Sequence, residues 1–192
     1  METAGNDMSG QRFPRWRAYF TALALLAELA HLAWEHFHGG VRSHHILNRA
    51  DLPAISNAWG MLLLPALTWL LTGRIQRRVA LQSSANTVAP TMPLSIIAGF
   101  LVALLVGIAL SVAFTMGNEA AASYIAQGII VLAILLPIYR AECLLGFVLG
   151  MTFTFGGVLP TAIGSVFAAL SAVMHRLVYP FLGRIWTWLR RG

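Results

Sequence analysis

Long apolar blocks separated by short polar stretches dominate this sequence, and they set the narrowest limit on what it can fold into. Hydrophobic residues make up 58% of the chain and charged residues only 10%, whereas a soluble globular domain usually carries about 25% charged residues. The charges are too few to cover a water-facing surface. The composition therefore excludes a soluble fold and predicts an all-α fold, a polytopic bundle of transmembrane helices in one membrane domain.

The apolar blocks give the positions of the predicted membrane spans. A helical crossing takes about 20 residues. We predict spans at 18–37, 55–72, 94–116 and 120–139, and a longer apolar stretch at 144–174. That stretch is expected to fold back at Gly156, Gly157 and Pro160, because glycine and proline interrupt helices. Its arms are short for full crossings, so they form either two passes or a re-entrant hairpin, for about six passes in all.

Arginines beside the apolar blocks predict the orientation of the chain. All 13 basic residues are arginine, and the net charge is +6. By the positive-inside rule, the cytoplasmic side is marked by the arginines within 12–17, 74–78, 140 and 176–191. Both termini are then cytoplasmic, and the histidine-rich loop near 36–54 lies on the opposite side. Arg42 and Arg49 in that loop are exceptions to the pattern.

The same pattern predicts three segments, a location and the partners of the chain. Residues 1–17 form a cytoplasmic N-terminal segment, 18–179 the transmembrane helical domain, and 180–192 a basic aromatic interfacial tail. We expect the chain in the inner membrane of a prokaryote, with the lipid bilayer as its partner. The arginine clusters have no recognisable nucleic-acid-binding motif, which argues against nucleic acid. A face of small residues on the third span predicts a homo-oligomer, through Gly99, Ala103 and Gly107.

Ionisable residues are concentrated in one short region, which makes that region the candidate functional site. Five of the six histidines lie between His31 and His45. The region also contains Glu28, Glu35, Asp51 and Asn57. An ionisable group at bilayer depth costs about 3 kcal/mol on insertion scales, so such groups persist only with partners or a function. Ser56, Asn57 and Asp51 also suit helix capping, which is the commoner role of these residue types.

Helical spacing places four of these residues on one face of the first span. The residues are separated by intervals of three, four and three, in the order Glu28, His31, Glu35 and His38. Such intervals keep side chains within a narrow arc of a helix. The pattern contains Glu-x-x-His twice, the pairing that supplies metal ligands inside helix bundles. His36 faces away from the other four.

These residues predict a divalent metal site, with zinc or iron favoured because both bind imidazole and carboxylate ligands. The predicted metal ligands are His31, His38, His44 and His45. The predicted catalytic acids or bases are Glu28, Glu35 and Asp51. With zinc the protein would be a hydrolase, and with iron an oxidase or hydroxylase, acting on a lipid or another membrane-resident substrate.

Two short motifs resemble a known family. The run H-x-x-W-E-H at 31–36 and the triplet S-H-H at 43–45 are similar to the histidine boxes of membrane lipid desaturases and hydroxylases. That family binds two irons between transmembrane helices, so the resemblance implies iron chemistry on an acyl chain. The later boxes of the family are absent, since His175 is the only histidine after His45.

Two other functions fit the same residues. In a small transporter or channel, the ionisable row would pass protons or cations, and the break at 156–160 would be a re-entrant element lining the path. Alternatively, the chain is a non-catalytic membrane subunit. Proton flux without bound metal would distinguish the transporter from the metal-dependent enzyme.

Overall fold

Helices dominate the structure, a computed structural model that describes residues 7–41, 43–45, 51, 54–85 and 93–190. Within these ranges, the helices long and apolar enough to cross a membrane are Asn57–Gln82, Leu94–Thr115 and Val158–Leu189. Two further apolar helices are shorter, Glu119–Leu135 and Ala141–Phe155. The predicted helical fold is therefore confirmed, with helices that are long and apolar enough to cross a membrane, while the membrane bundle of six passes stays a prediction.

The helices and strands follow one another along the chain with short connections. In order they are α1 (Asp7–Phe37), β1 (Ser43–His45), β2 (Ala54–Ser56), a 3-10 turn (Asn57–Trp59), α2 (Gly60–Ala85), α3 (Leu94–Thr115), α4 (Glu119–Leu135), α5 (Ala141–Phe155), α6 (Val158–Val173), a π-helical turn (Met174–Val178) and α7 (Tyr179–Leu189). The predicted break after α5 is confirmed. Gly156 there has a φ of +67°, in the left-handed region that favours glycine.

The helices α1 and α2 pack along each other as a hairpin in the first of two compact units, which also includes Phe155–Leu159. Both helices are longer than the predicted spans. Helix α1 begins at Asp7, and α2 continues to Ala85, past the arginines at 74–78. Arginine is a good helix former, so a cluster of arginines ends an apolar block without ending the helix.

A small β-ribbon follows α1 where the sequence predicts only a histidine-rich loop. Strands β1 and β2 pair antiparallel, with Ser43 opposite Ser56, His44 opposite Ile55 and His45 opposite Ala54. Strands of three residues carry no alternation long enough to recognise. The ribbon ends at Ser56, and the 3-10 turn begins at the next residue, Asn57.

Glycines bring α3 and α5 of the second unit into close contact. A Cβ atom at Gly146 would overlap the carbonyl oxygen of Phe100, and one at Gly107 would lie 2.6 Å from the carbonyl oxygen of Phe147. The two backbones therefore meet where any larger residue would separate them. This corrects the predicted oligomer face, because α5 covers Gly99 and Gly107 within the chain. The homo-oligomer itself stays a prediction.

Side chains from the last helices satisfy carbonyl groups at the end of α4. Ser171 Oγ donates a hydrogen bond to the Leu136 carbonyl oxygen at 2.9 Å, and Tyr179 Oη donates to that of Ile134 at 2.7 Å. Helix α4 is shorter than predicted because Pro137 favours extended backbone at Leu136. The end of α4 is thus fixed by the segment that leads into α7.

The C-terminal tail is a helix. Residues Val158–Leu189 form one continuous helix of 32 residues, in which the π-helical turn joins α6 to α7. Every residue of α7 is exposed, and the guanidinium of Arg190 lies 4.8 Å above the ring of Trp186. The interfacial position of this tail stays a prediction.

We expect Gly146→Ala to lower the stability of the protein by about 1–3 kcal/mol, because the added methyl group must push α3 and α5 apart. Gly128→Ala in α4 is the matched control, since a Cβ atom there meets nothing within 4 Å. The control should be neutral or slightly stabilising. Thermal unfolding in detergent, followed by circular dichroism, compares the two; equal melting temperatures would contradict the close packing.

Candidate functional site

Three ionisable side chains of α1, Glu28, His31 and Glu35, form a buried row, called here the Glu-His-Glu row. The exposed fraction is 1% for Glu28 and 6% for Glu35, and 8% for the side chain of His31. Other positions of α1 expose large apolar side chains, among them Leu23, Leu26 and Leu29. The helix thus turns its charged face inward and its apolar residues outward, the reverse of a water-soluble surface helix.

The imidazole of His31 lies between the two carboxyl groups. Its Nδ1 is 3.9 Å from Glu28 Oε2, and its Nε2 is 3.7 Å from Glu35 Oε1. Each carboxyl group therefore faces a different ring nitrogen. A single metal ion binds only one nitrogen of an imidazole, so this geometry does not converge on one ion between the three side chains.

Asn57, at the start of the 3-10 turn, completes the end of the row nearest the ribbon. Its side-chain Nδ2 donates a hydrogen bond to Glu35 Oε1 at 2.7 Å, and its exposed fraction is 3%. The sequence offers Ser56 and Asn57 alike as caps. Ser56 has that role, since its Oγ accepts a hydrogen bond from the Ala58 N–H at 3.2 Å. Asn57 differs from Ser56 because it is buried beside the Glu-His-Glu row, and its residue type alone does not show this.

Glycines cover the row on the side opposite α1. A Cβ atom at Gly60 would overlap Glu28 Oε1, and one at Gly156 would overlap Asn57 Oδ1. A Cβ atom at Gly157 would lie 3.2 Å from the Cα atom of Gly60. The first turn of α2 and the turn after α5 therefore meet over the carboxyl group of Glu28. The sequence predicts a chain reversal or a re-entrant element at Gly156 and Gly157, but gives no role to Gly60.

Glu28 is buried without a hydrogen bond. Among the described residues, none donates a hydrogen bond to either oxygen of its carboxyl group. Its Oε2 lies 3.9 Å from His31 Nδ1, a distance longer than a hydrogen bond. Because an isolated buried charge is costly, this carboxyl group has to hold a proton or share a cation.

The remaining predicted residues lie apart from the row or outside the described side chains. Helix α1 ends at Phe37, so His38 leaves the predicted face; its ring stacks on Trp34 at 3.7 Å, and its Nδ1 lies 2.9 Å from the Trp34 carbonyl oxygen. Asp51 is an exposed turn residue. The side chains of His44 and His45 lie outside the described residues. His36, predicted to face away from the other four residues, is exposed.

No group of three or more His, Cys, Asp or Glu side chains in the described part of the chain is placed to hold a metal ion. The row brings together three predicted site residues, but as two separate carboxyl–imidazole pairs. Because the predicted metal site also draws on His44 and His45, it stays a prediction.

Arg17 fixes the opposite end of the hairpin. Its Nε donates a hydrogen bond to the Trp69 carbonyl oxygen at 2.8 Å, and its guanidinium carbon lies 3.7 Å from the centre of the Trp69 ring. Gly73 leaves room for the guanidinium. From Arg17 to Glu35, α1 rises about 27 Å at 1.5 Å per residue, close to the hydrocarbon thickness of a bilayer.

Comparison of the chain with protein-family models, with curated proteins and with solved structures finds no match. Function is therefore inferred from the chemistry and placement of the Glu-His-Glu row. The carboxyl group of Glu28 is its most constrained member, because the glycine at position 60 contacts it directly.

We expect Gly60→Ala to destabilise the protein by about 1–3 kcal/mol, because the new methyl group displaces the Glu28 side chain. Truncation by Glu28→Ala removes the overlapping oxygen, so the double variant should recover most of that loss. A double-mutant cycle on thermal unfolding measures the coupling. Gly183→Ala, where a Cβ atom meets nothing within 4 Å, is the control. Additive effects of the two changes would show that the glycine serves another purpose.

Proposed function

We propose that this chain is a small multi-pass membrane protein whose first hairpin binds and passes protons, as a proton-coupled transporter or proton channel. The observation that carries the proposal is the position of His31, whose two ring nitrogens face two different buried carboxyl groups. Imidazole is the side chain that can gain a proton at one nitrogen and release another proton from the second.

The distances from His31 to the two carboxyl groups support a proton relay in which small movements form the hydrogen bonds. At 3.7 and 3.9 Å, the two pairs are just beyond hydrogen-bond length. A rotation of the imidazole or one bridging water is enough to connect either pair. A proton accepted from Glu35 at Nε2 is matched by a proton given to Glu28 from Nδ1, and tautomer exchange or ring rotation resets the imidazole.

Asn57 and Gly60 support the same role by holding the ends of the relay. The hydrogen bond from Asn57 fixes an oxygen of Glu35 toward His31. Gly60 lets α2 close over Glu28, which keeps bulk water from the carboxyl group. Ionisable groups kept at such a cost inside a bilayer usually mark proton or ion pathways.

The distribution of charge along the hairpin supports a direction across the membrane. At one end Arg17 contacts Trp69, and Arg74, Arg77 and Arg78 follow in α2. The other end carries Glu35 with the ribbon. By the positive-inside rule, we propose that the arginine end and both termini are cytoplasmic, with the chain in a prokaryotic inner membrane. Arg42 and Arg49, which depart from this rule, lie outside the described residues.

The helices α5 and α6 bear on the number of passes. Helix α5, with 15 residues, falls below the usual spanning length, whereas α6 continues through the π-helical turn into a helix of 32 residues that is long enough to cross. We propose six passes if this hairpin crosses, or four passes with a re-entrant hairpin. Either arrangement brings the Gly156–Gly157 turn over Glu28, where broken helices line the path in transporters.

A metal-dependent enzyme is the second candidate, favoured by the pairing of the Glu28 carboxyl group with His31 on adjacent turns of one helix. One ring nitrogen of His31 with one carboxyl group is an incomplete ligand set. His44, His45 and Asp51 would have to supply the rest for zinc or iron. A lipid would then be the substrate.

We expect the purified protein in liposomes to dissipate a pH gradient, and Glu28→Gln or His31→Gln to lower this flux at least about tenfold by removing one station of the relay. Glu119→Gln, an exposed glutamate in the first turn of α4, is the control and should leave flux unchanged. A pH-sensitive dye inside the liposomes reports the flux.

The same preparations separate the alternatives. Wild-type protein without proton flux, and with zinc or iron at one ion per chain that is lost in His31→Gln, would replace the relay with the metal-dependent enzyme. Protein with neither flux nor metal would leave the non-catalytic membrane subunit.

We expect Ser43→Cys to react with a membrane-impermeant maleimide on intact cells and Gln82→Cys to react only after the membrane is opened. Both positions are exposed, and they lie at opposite ends of the hairpin. The background carries Cys143→Ser, which removes the only native thiol. Labelling of Gln82→Cys on intact cells would reverse the proposed orientation.

A further inference from the structure

Two buried threonine hydroxyls, one on each helix of the hairpin, have no hydrogen-bond partner among the described residues. Within the described part of the chain, neither Thr21 Oγ1 on α1 nor Thr68 Oγ1 on α2 has a hydrogen-bond partner. The exposed fraction of Thr68 is 1%. Threonines at other helical positions use the hydroxyl: Thr72 Oγ1 donates to the Thr68 carbonyl oxygen at 2.6 Å, and Thr152 Oγ1 to that of Val148 at 2.7 Å.

The register of the hairpin places the two hydroxyls at one level. Glu28 contacts Gly60, and Arg17 contacts the helix at Trp69 and beside Gly73. From the first contact, seven residues back along α1 lead to Thr21, and eight residues forward along α2 lead to Thr68. Both steps are about two helical turns.

Thr68 also belongs to a buried face of α2. Its buried neighbours at helical spacing are Leu64, Leu71 and Ile75. On α1, Ala24 is buried between Thr21 and Glu28. Ala24 and the half-buried Leu25 thus lie between the carboxyl group of Glu28 and the level of the two hydroxyls.

We infer that Thr21 and Thr68 together bind water inside the hairpin and so extend the proton path from Glu28 toward the arginine end. The inference rests on the proposed proton relay. Buried hydroxyls are almost always hydrogen-bonded, and water is the usual partner when the protein supplies none. A hydroxyl donates one hydrogen bond and accepts others, so a pair of them orders water without adding a charge.

The surroundings of the pair suit water-mediated transfer. The ionisable groups near the path on α1 are Glu28, His31 and Glu35 on one side and Arg17 on the other. The facing part of α2, residues 60–73, contains no ionisable side chain. Nothing in this stretch would hold a proton tightly, so a proton leaving Glu28 meets only neutral donors and acceptors before the arginine end.

The test compares Thr68→Val and Thr21→Val with Thr68→Ser. Valine keeps the shape of threonine and removes the hydroxyl, whereas serine keeps the hydroxyl. We expect each valine variant to lower proton flux in liposomes by about tenfold, the order of one lost hydrogen bond in the rate-limiting step. Thr68→Ser should retain more flux than Thr68→Val, and the exposed control Thr187→Val should retain wild-type flux.

A second measurement detects the bound water directly. Solid-state NMR of the membrane-embedded protein, with magnetisation transfer from water, should show rapid transfer to Thr21 and Thr68 but not to Leu64 or Leu71. The transfer to position 68 should disappear in Thr68→Val.

The two measurements separate failure of this inference from failure of the proposed relay. Wild-type flux that both valine variants retain, or absence of water transfer at the two threonines, overturns the inference and leaves the relay intact. Water at the threonines in a protein that passes no protons upholds the water site and overturns the relay.

Discussion

The buried contact between Glu28 and Gly60 is the constraint on which the first hairpin depends. A helix with two glutamates and a histidine along one face can lie in a bilayer only if protein covers that face, since hydrocarbon offers no hydrogen bonds. Gly60 and the turn at Gly157 provide this cover by bringing backbone rather than side chains against the carboxyl group. The large apolar side chains of α1 are left on the outside of the hairpin, away from its ionisable row.

Glycine serves opposite purposes in the two units. In the second unit, glycines at 107 and 146 let α3 and α5 approach until a carbonyl oxygen of one helix lies against a glycine of the other, which increases dispersion contacts between the two helices. In the first unit, Gly60 leaves space for the carboxyl group of Glu28. The first arrangement brings two helix backbones together, and the second accommodates a buried carboxyl group against a helix backbone.

Much of the architecture could be predicted from the sequence because apolar length and helical spacing report directly on membrane helices. The span at α3, the break at Gly156 and the shared face of Glu28, His31 and Glu35 all follow from those two signals. Contacts that depend on another part of the chain could not be read in the same way. Asn57 has the residue type of a cap, and only the packing of α2 on α1 reveals its hydrogen bond to Glu35. His38 follows the helical spacing, yet α1 ends one residue before it.

Overlap between a Cβ atom at position 60 and the carboxyl group of Glu28 also restricts how this protein can diverge. Any descendant that retains the glutamate must retain glycine at the facing position, whereas a descendant that loses the glutamate is released from that restriction. The two positions should therefore co-vary across evolution. A pattern of Glu-x2-His-x3-Glu in one helix and Asn-x2-Gly at the entrance of the next is a compact signature for distant relatives. Apolar residues that surround both motifs are interchangeable in lipid and would retain little trace of common ancestry.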